Sequence, residues 1–324
     1  MTILEIIKLW TSTNMLKAIN SIKLVSTYTY DKYFKGKEEP VYGNIAKLKI
    51  KKSASVVLES IAPGADRLLD DLDDVYQLNI DIPRFGKDAE LLANEINQFD
   101  SLDGTDKAEA VSKWITGKMK EHLGDYSTTT EFMATGALFG KIVDGKGKVL
   151  FEFTTTADPI EFKDKDIDSV LEEIDEALVE EVGMEVPYEI LCSSIFMQRI
   201  RAKAKAEKLF EDKTAQNIDE GGKRILLVHG KRFVPYRNSY PDTEGDRKPF
   251  IEEGKAVVVP DSPEVYSVAV GRADHIEALK SVPKQFFASQ PEPLAKGKGY
   301  GFSTETKILP YCVRPGALIK LKFS

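Results

Sequence analysis

The feature that most constrains the fold is a long apolar stripe in the middle of the chain. Apolar or weakly polar residues recur every three or four positions from residue 111 to residue 137, which places them on one side of an α-helix. They are Val111, Ile115, Met119, Leu123, Tyr126, Thr130, Met133 and Ala137. The spacing predicts a helix of roughly thirty residues, about 45 Å long. Other parts of the protein must pack against its apolar side along the whole length.

The ends and the interior of this helix carry further signals. Thr105 and Asp106 are the residue types that cap helix starts, so we expect them to act there. Gly117 and Gly124 lie inside the helix, and each weakens it by about 1 kcal/mol relative to alanine. Either packing overrides that cost or the helix bends at the glycines.

Two alternating segments precede the helix. Residues 45–51, IAKLKIK, place apolar side chains on one face of a predicted strand and lysines on the other. A short apolar run at 56–58 follows, and residues 76–82 alternate in the same way before Pro83. Together they predict an extended β element. The positions that we expect to carry its apolar contacts are Ala46, Leu48, Ile50, Val56, Leu58, Tyr76, Leu78 and Ile80.

An isolated two-stranded hairpin is marginally stable in water. One interpretation is therefore an ordinary sheet with one wet face, whose lysines guard its edge against unwanted pairing. The other is a hairpin that completes its core on a second subunit. The pattern itself leaves both open.

The remainder of the chain alternates between the two kinds of element. A hairpin is predicted over 139–153 with its turn at Asp144-Gly145. Helices are predicted over 167–182, with a capping box from Ser169 and Glu172, and over about 189–210. Short strands fill residues 224–324, and the predicted fold class is α+β.

Composition excludes several classes of protein. The 324 residues carry a net charge of −7, which argues against a protein dedicated to gripping phosphates. Two distant cysteines, Cys192 and Cys312, argue against a disulfide framework or a structural zinc site. Residues 3–10 fit a short amphipathic helix better than a signal peptide, and no apolar run is long enough for a membrane span. We expect a soluble, unexported chain.

Motifs of enzyme chemistry are incomplete. The segment 140–146, GKIVDGK, lacks the Ser or Thr that a phosphate-binding loop needs at residue 147, and it reads as a hairpin. The histidines 122, 229 and 275 have no metal-ligand spacing. Acidic residues from 164 to 176 and basic residues from 199 to 208 fit solvated helix faces, with a cation site and DNA contact as the respective alternatives. We predict no catalytic, cofactor or metal site.

Several segments, in order, resemble one known family. They are IAPG (61–64), LNIDIP (78–83), TEF (130–132), GALFGKIVDGKG (136–147), LCSSIF (191–196), FIEEGKAVVVP (250–260) and LPYCVRP (309–315). In this order they resemble the phage lambda major head protein E family, from about residue 25 to the end. That family has the Hong Kong 97 capsid fold of tailed phages.

The resemblance implies an organisation. It implies an N-terminal arm at 1–40, an extended β loop at 41–82 and a peripheral domain at 83–164 with a spine helix at 104–140. An axial domain would follow at 165–270, and return strands at 271–324. The eight apolar positions of the β element would then contact a neighbouring subunit.

The resemblance also implies a function. The chain would be a non-enzymatic major capsid protein, assembled in the host cytoplasm into pentamers and hexamers of an icosahedral head around double-stranded DNA. Its partners would be itself, a portal, a scaffold or maturation protease, a decoration protein and packaged DNA held without sequence specificity, with no membrane and no cofactor. The alternatives are an encapsulin-type nanocompartment shell, a soluble enzyme with an unrecognised site, and another virion protein such as a tail tube.

Overall fold

The computed structural model describes residues 2–22, 27–51, 75–153, 158–162, 164–242 and 244–323. The chain divides into two compact units, each built from separate stretches of sequence. Unit 1 comprises Met1–Ala46, Ile80–Glu131 and Val268–Leu309, and unit 2 comprises Lys47–Asn79, Phe132–Ser267 and Pro310–Ser324. The chain passes from one unit to the other several times. One of these passages, after residue 131, divides the segment 83–164 that was predicted to be a peripheral domain.

The described elements follow one another along the chain. The first part contains α1 (Ile3–Lys8), α2 (Ser12–Ser21), a π-helical turn (Tyr30–Phe34), β1 (Glu38–Val41), β2 (Ile45–Lys51), β3 (Val75–Asp81), β4 (Arg84–Leu92), α3 (Ala93–Asp100) and α4 (Gly104–Leu138). The middle contains β5 (Lys141–Val143), β6 (Val149–Glu152), β7 (Ile160–Glu161), α5 (Ile167–Val182), β8 (Tyr188–Cys192), α6 (Ser194–Ala206), β9 (Ala215–Glu220), β10 (Lys223–Val228), β11 (Lys231–Pro235), β12 (Ser239–Pro241), β13 (Arg247–Pro249), β14 (Lys255–Pro260) and β15 (Tyr266–Gly271). The last part contains β16 (Phe287–Ala288), β17 (Glu292–Pro293), β18 (Gly299–Cys312) and β19 (Lys320–Lys322), with 3-10 helices at Ile276–Lys280, Ala295–Gly297 and Pro315–Ala317.

The long helix is confirmed as α4, which is 35 residues long. All eight residues of the predicted stripe are buried, none more than 3% exposed. The helix continues through Gly117 and Gly124. The predicted cap is wrong: the helix starts at Gly104, where the carbonyl of Asp103 already accepts the N–H of Lys107. Thr105 and Asp106 therefore lie in its first turn.

Hydroxyl side chains in α4 are satisfied within the helix. The hydroxyls of Ser127, Thr128, Thr129 and Thr130 each donate to the carbonyl four residues earlier, at 2.8–3.0 Å. Such back-bonding satisfies the hydroxyls within the helix, although it slightly lowers helix stability.

The core of unit 1 forms where α4 meets the N-terminal helices and β4. Ile6 and Ile7 of α1 and Met15 of α2 join Leu91 and Val111 in one buried cluster. The predicted N-terminal helix is confirmed, and Thr2 and Glu5 form its capping box. α2 and β1 were not predicted, because residues 11–40 show little regular periodicity.

The sheet of unit 1 is built around the long strand β18. β4 pairs antiparallel with residues 299–307 of β18, and β1 pairs parallel with residues 268–271 of β15. In the described part of the chain the sheet order is β1-β15-β18-β16, with β4 and β17 also paired to β18. Trp114 of α4 meets Phe302 of this sheet edge to face, with ring centroids 5.9 Å apart.

Unit 2 contains a second mixed sheet. Its described strands run in the order β7-β19-β14-β8-β11-β10-β9. The predicted helix 167–182 is confirmed as α5, but its cap is Asp166, which accepts the N–H of Ser169 at 2.7 Å. The predicted capping box of Ser169 and Glu172 is therefore wrong, since both residues lie inside the helix.

The predicted helix 189–210 is wrong at its start and its end. Residues 188–192 form β8, which is buried along its length and lies between β14 and β11. The helix α6 begins only at Ser194, where the Ser193 hydroxyl accepts the N–H of Phe196, and it ends at Ala206. A strand buried on both faces shows no alternation, so its sequence resembles that of a buried helix.

The hairpin after α4 is confirmed as β5 and β6, but its turn differs from the predicted Asp144-Gly145 pair. The Asp144 carboxylate accepts the N–H groups of Lys146 and Lys148, both at 2.9 Å. The left-handed residue is Gly147, with φ of 80°. An aspartate that binds the backbone two and four residues ahead thus organises a longer loop.

The glycines of α4 allow a test of its packing. A Cβ added at Gly117 or Gly124 would meet nothing within 4 Å, whereas one at Gly136 would lie 2.7 Å from the carbonyl oxygen of Lys141. We expect Gly117→Ala and Gly124→Ala each to raise the free energy of unfolding by about 0.5–1 kcal/mol. Gly136→Ala should lower it by about 1–3 kcal/mol.

Urea unfolding of the dissociated subunit measures all three variants. A Gly136→Ala protein as stable as the Gly117→Ala protein would contradict the close approach of α4 and β5.

Candidate assembly surface

The predicted extended element is a hairpin of β2 and β3, which pair with each other in a two-stranded sheet. Both predicted strands are confirmed. Within the described residues neither strand has a second strand neighbour, so each presents one open edge. Open edges and their flanking side chains are where a further chain can add.

The apolar face of β2 is already covered in the single chain. Ala46, Leu48 and Ile50 are 1%, 1% and 8% exposed, while Lys47 is exposed. The predicted alternation is therefore correct. The chain itself buries these three side chains, and their contact with a second subunit stays a prediction.

The apolar residues of β3 are more open. Leu78 is 40% exposed, and Ile80 is partly buried. The side chain of Tyr76 and the whole of Val56 and Leu58 lie outside what the structure describes. Of the eight predicted interface positions, Leu78 is thus the one with a clearly accessible side chain among those described.

The chain on either side of the hairpin is joined at its base within unit 1. The N–H of Ile82 donates to the carbonyl of Asn44 at 2.9 Å. The Asn44 side-chain oxygen accepts from Lys307 Nζ at 3.1 Å, and the same ammonium pairs with Asp274. The Lys307 side chain is only 3% exposed. Burying its charge is unfavourable, and these partners offset that cost.

A second ion pair flanks this base. Arg84 Nε donates to Glu305 Oε2 at 2.8 Å and lies 3.6 Å from Asp274 Oδ2. Glu305 is buried and also accepts the N–H of Asp274 at 2.8 Å. The hydrogen bond to Glu305 raises the pKa of Arg84. We name Asn44, Arg84, Asp274, Glu305 and Lys307 the base network.

Unit 1 also presents an apolar turn that was not predicted. Ile276, Leu279 and Val282 are 76%, 61% and 57% exposed. The turn is held in place by Glu277, whose carboxylate accepts from the Ser12 hydroxyl at 2.7 Å and from the N–H of Gln290 at 3.3 Å. Its sequence, IEALKSV, gives no signal of exposure, because such spacing equally fits a buried face.

Each of the three histidines singled out in the sequence lies close to a polar group of another residue. His122 is buried and contacts the Thr304 hydroxyl at 2.8 Å, and burial lowers its pKa. His229 Nε2 lies 3.7 Å from Asp168, and His275 Nδ1 accepts the N–H of Glu277. The described residues contain no group of three or more His, Cys, Asp or Glu side chains that could hold a metal ion.

The remaining motifs are also accounted for. The GKIVDGK segment forms β5 and its turn after a helix, which is the reverse of a phosphate-binding loop. On α6, Arg199 donates to the carbonyl of Phe323 at 2.6 Å and Arg201 to that of Arg224, so only part of this basic face is free for solvent. Cys192 and Cys312 are buried thiols, and burial raises the pKa of Cys192 well above its ordinary value.

None of the helices in the described ranges is long and apolar enough to cross a bilayer.

Solved structures share this fold at low sequence identity. A protein described as the capsid protein of an E. coli CFT073 prophage superposes with a TM-score of 0.64 and 13% identity, covering 97% of this chain and 99% of its own. A phage-related protein of Bordetella bronchiseptica RB50 gives 0.50 and 11%, covering 97% of each chain. The SrpI encapsulin of Synechococcus elongatus PCC 7942 gives 0.50 and 10%, covering 92% and 87%.

These likenesses confirm the Hong Kong 97 type of fold. No curated protein sequence matches the chain significantly. The family described as Phage major capsid protein E, however, matches residues 11–323. The chain therefore belongs to the phage major capsid protein E family, and it is a structural subunit of a capsid shell.

Proposed function

We propose that this protein is the major head protein of a tailed phage, forming pentamers and hexamers of an icosahedral shell around double-stranded DNA. The observation that carries the proposal is the family match, which extends over residues 11–323. The open edges of the β2–β3 hairpin and the exposed Leu78 support it, since a subunit of a closed ring must offer surfaces to its neighbours.

Under this proposal the two compact units correspond to the two capsid domains. Unit 1, with most of α4 and the β18 sheet, would be the peripheral domain, and unit 2 would be the axial domain. The stretch between β2 and β3 would form the extended loop that lies over a neighbouring subunit. Each contact can be modest, because several contacts hold a subunit in a shell at once.

Further partners are those that the resemblance to the family implies. A portal, a scaffold or maturation protease and a decoration protein are proposed partners, and packaged DNA would touch the inner surface without sequence specificity. A net charge of −7 fits this role, because it disfavours tight phosphate binding. Assembly would take place in the host cytoplasm.

Particles of the expressed protein test the proposal. Negative-stain images should show icosahedral shells, and particles from an infected or induced host should contain nuclease-protected double-stranded DNA. Shells that instead enclose a cargo protein would assign the chain as an encapsulin-type compartment. Tubes or small discrete oligomers would contradict the proposal outright.

The difference in exposure between Leu78 and Leu48 yields a specific prediction. Leu78→Asp should leave the free energy of unfolding within about 1 kcal/mol of wild type, because that side chain is already partly in water. It should nevertheless sharply reduce the yield of closed shells. Leu48→Asp should destabilise the subunit itself by about 2–5 kcal/mol, because it places a charge in a buried apolar site.

Sedimentation measures the shell yield and urea unfolding measures stability, with Lys47→Ala as the matched control on the exposed face of β2. Wild-type shell yield from the Leu78→Asp chain would show that this part of the hairpin makes no contact between subunits.

The base network yields a second prediction. Lys307→Met removes a buried charge that Asn44 and Asp274 share, and we expect it to lower the free energy of unfolding by about 1–3 kcal/mol. Shell yield should fall as well, because the base of the hairpin is less well fixed. Lys35→Met is the control, since Lys35 forms a largely exposed pair with Asp31 worth about 0.5 kcal/mol or less.

Urea midpoints and particle counts are compared for the two lysine variants. If they behave alike, the base network does not hold the hairpin.

A further inference from the structure

Unit 2 contains an apolar cavity of about 490 Å³ with an aromatic wall. Phe132, Phe139, Tyr240 and Phe250 line it. The ring of Tyr240 lies 4.8 Å from that of Phe132 and 5.1 Å from that of Phe250, measured between centroids. The volume falls within the range of roughly 300–1,000 Å³ that is typical of ligand pockets. We name this cavity the aromatic pocket.

The rim of the aromatic pocket is rich in lysine. Four lysines line it, namely Lys141, Lys255, Lys320 and Lys322, and among the described lining residues Glu252 is the one carboxylate. Burial lowers the pKa of Lys320, the negative charge of Glu152 raises it, and the positive charge of Lys255 lowers it. An added negative charge at this rim would favour the charged form of Lys320.

Three of the four rim lysines have a carboxylate partner within the chain. Lys141 pairs with Glu152 at 3.0 Å, Lys255 with Glu252 at 2.5 Å and Lys322 with Glu161 at 2.7 Å, and each of these side chains is between 43% and 77% exposed. Pairs this exposed contribute little free energy and are easily exchanged. A ligand carrying several carboxylates could replace them.

One segment of the chain matches both properties of the pocket. Residues 66–74, DRLLDDLDD, contain three leucines, five aspartates and one arginine, a net charge of −4. The segment lies in the sequence between β2 and β3, outside the residues that the structure describes. Its leucines suit an aromatic wall, and its aspartates suit a lysine rim.

We propose that residues 66–74 of a second copy of this chain dock in the aromatic pocket, with leucine side chains inside and aspartates on the lysine rim. The inference rests on the proposed shell function, which supplies neighbouring copies at high local concentration. Repeated around a ring, such a heterologous contact fills each pocket with the segment of the next subunit.

A charge exchange tests the pairing. Lys141→Glu with Lys255→Glu reverses part of the rim, and Asp70→Lys with Asp71→Lys reverses part of the segment. Each double variant alone should reduce shell yield by roughly tenfold or more, since like charges then oppose each other. The chain that carries all four changes should recover most of the yield, which also shows that the rim variant folds.

Lys146→Glu with Lys148→Glu is the matched control. It makes the same charge change at the exposed tip of the β5–β6 hairpin, away from the residues that line the pocket. It should leave shell yield within about twofold of wild type. Failure of the fourfold variant to recover, or a control as defective as the rim variant, would overturn the proposal.

A disulfide between two copies tests whether the occupant is a neighbour. One chain carries Leu72→Cys and the other Lys141→Cys; the two are assembled together, and the shells are oxidised. The native thiols Cys192 and Cys312 are buried and should not compete. A disulfide-linked dimer on a non-reducing gel supports the contact, and a mixture with Lys146→Cys in place of Lys141→Cys should give little of it.

Three results separate the possible failures. Wild-type shells with no dimer, and no rescue by charge exchange, would overturn the pocket contact while leaving the shell function intact. Absence of wild-type shells would overturn the shell function itself. A rim variant that assembles normally but packages less DNA would show that the lysines bind nucleic acid, and would overturn docking of the segment.

Discussion

The structure depends on a simple constraint: two paired strands cannot shelter both of their faces and both of their edges. The β2–β3 hairpin meets part of this need within the chain, which buries Ala46, Leu48 and Ile50. Leu78 remains 40% exposed, and among the described strands β2 and β3 pair only with each other. If a neighbouring subunit covers the apolar side chains and strand edges that one subunit leaves exposed, assembly is favoured. The single subunit can still be folded.

The hairpin is continuous in sequence with the core of unit 1. The stripe of α4 is buried along its whole length, and the β18 sheet with its partner β4 carries the chain directly into the hairpin. At the junction, the buried charge of Lys307 is shared between Asn44 and Asp274. The Asp274 carboxylate is 47% exposed, so losing Lys307 would cost less than breaking a pair in which both charges are buried.

The sequence predicts an element correctly where one face of it is buried and the other is exposed, because apolar residues then recur at regular intervals. The α4 stripe, α5 and the alternation of β2 are such cases. β8 was missed because a strand buried on both faces loses its alternation, and the cap at Asp166 was missed because Ser169 offered an equally plausible pattern. At the candidate site, alternation identified the apolar face of β2 but could not show that the chain itself covers it. The exposed turn at Ile276 depends on tertiary contacts of Glu277, which no local pattern reveals.

The central claim is that the hairpin gains its full protection only from a neighbouring copy. Amide hydrogen exchange, followed in dissociated subunits and in assembled shells of the same protein, measures this directly at residues 75–81 and at 45–51. The account predicts much slower exchange for these strands in the shell, with the buried stripe of α4 changing little. Equal exchange of the hairpin in both states would contradict it.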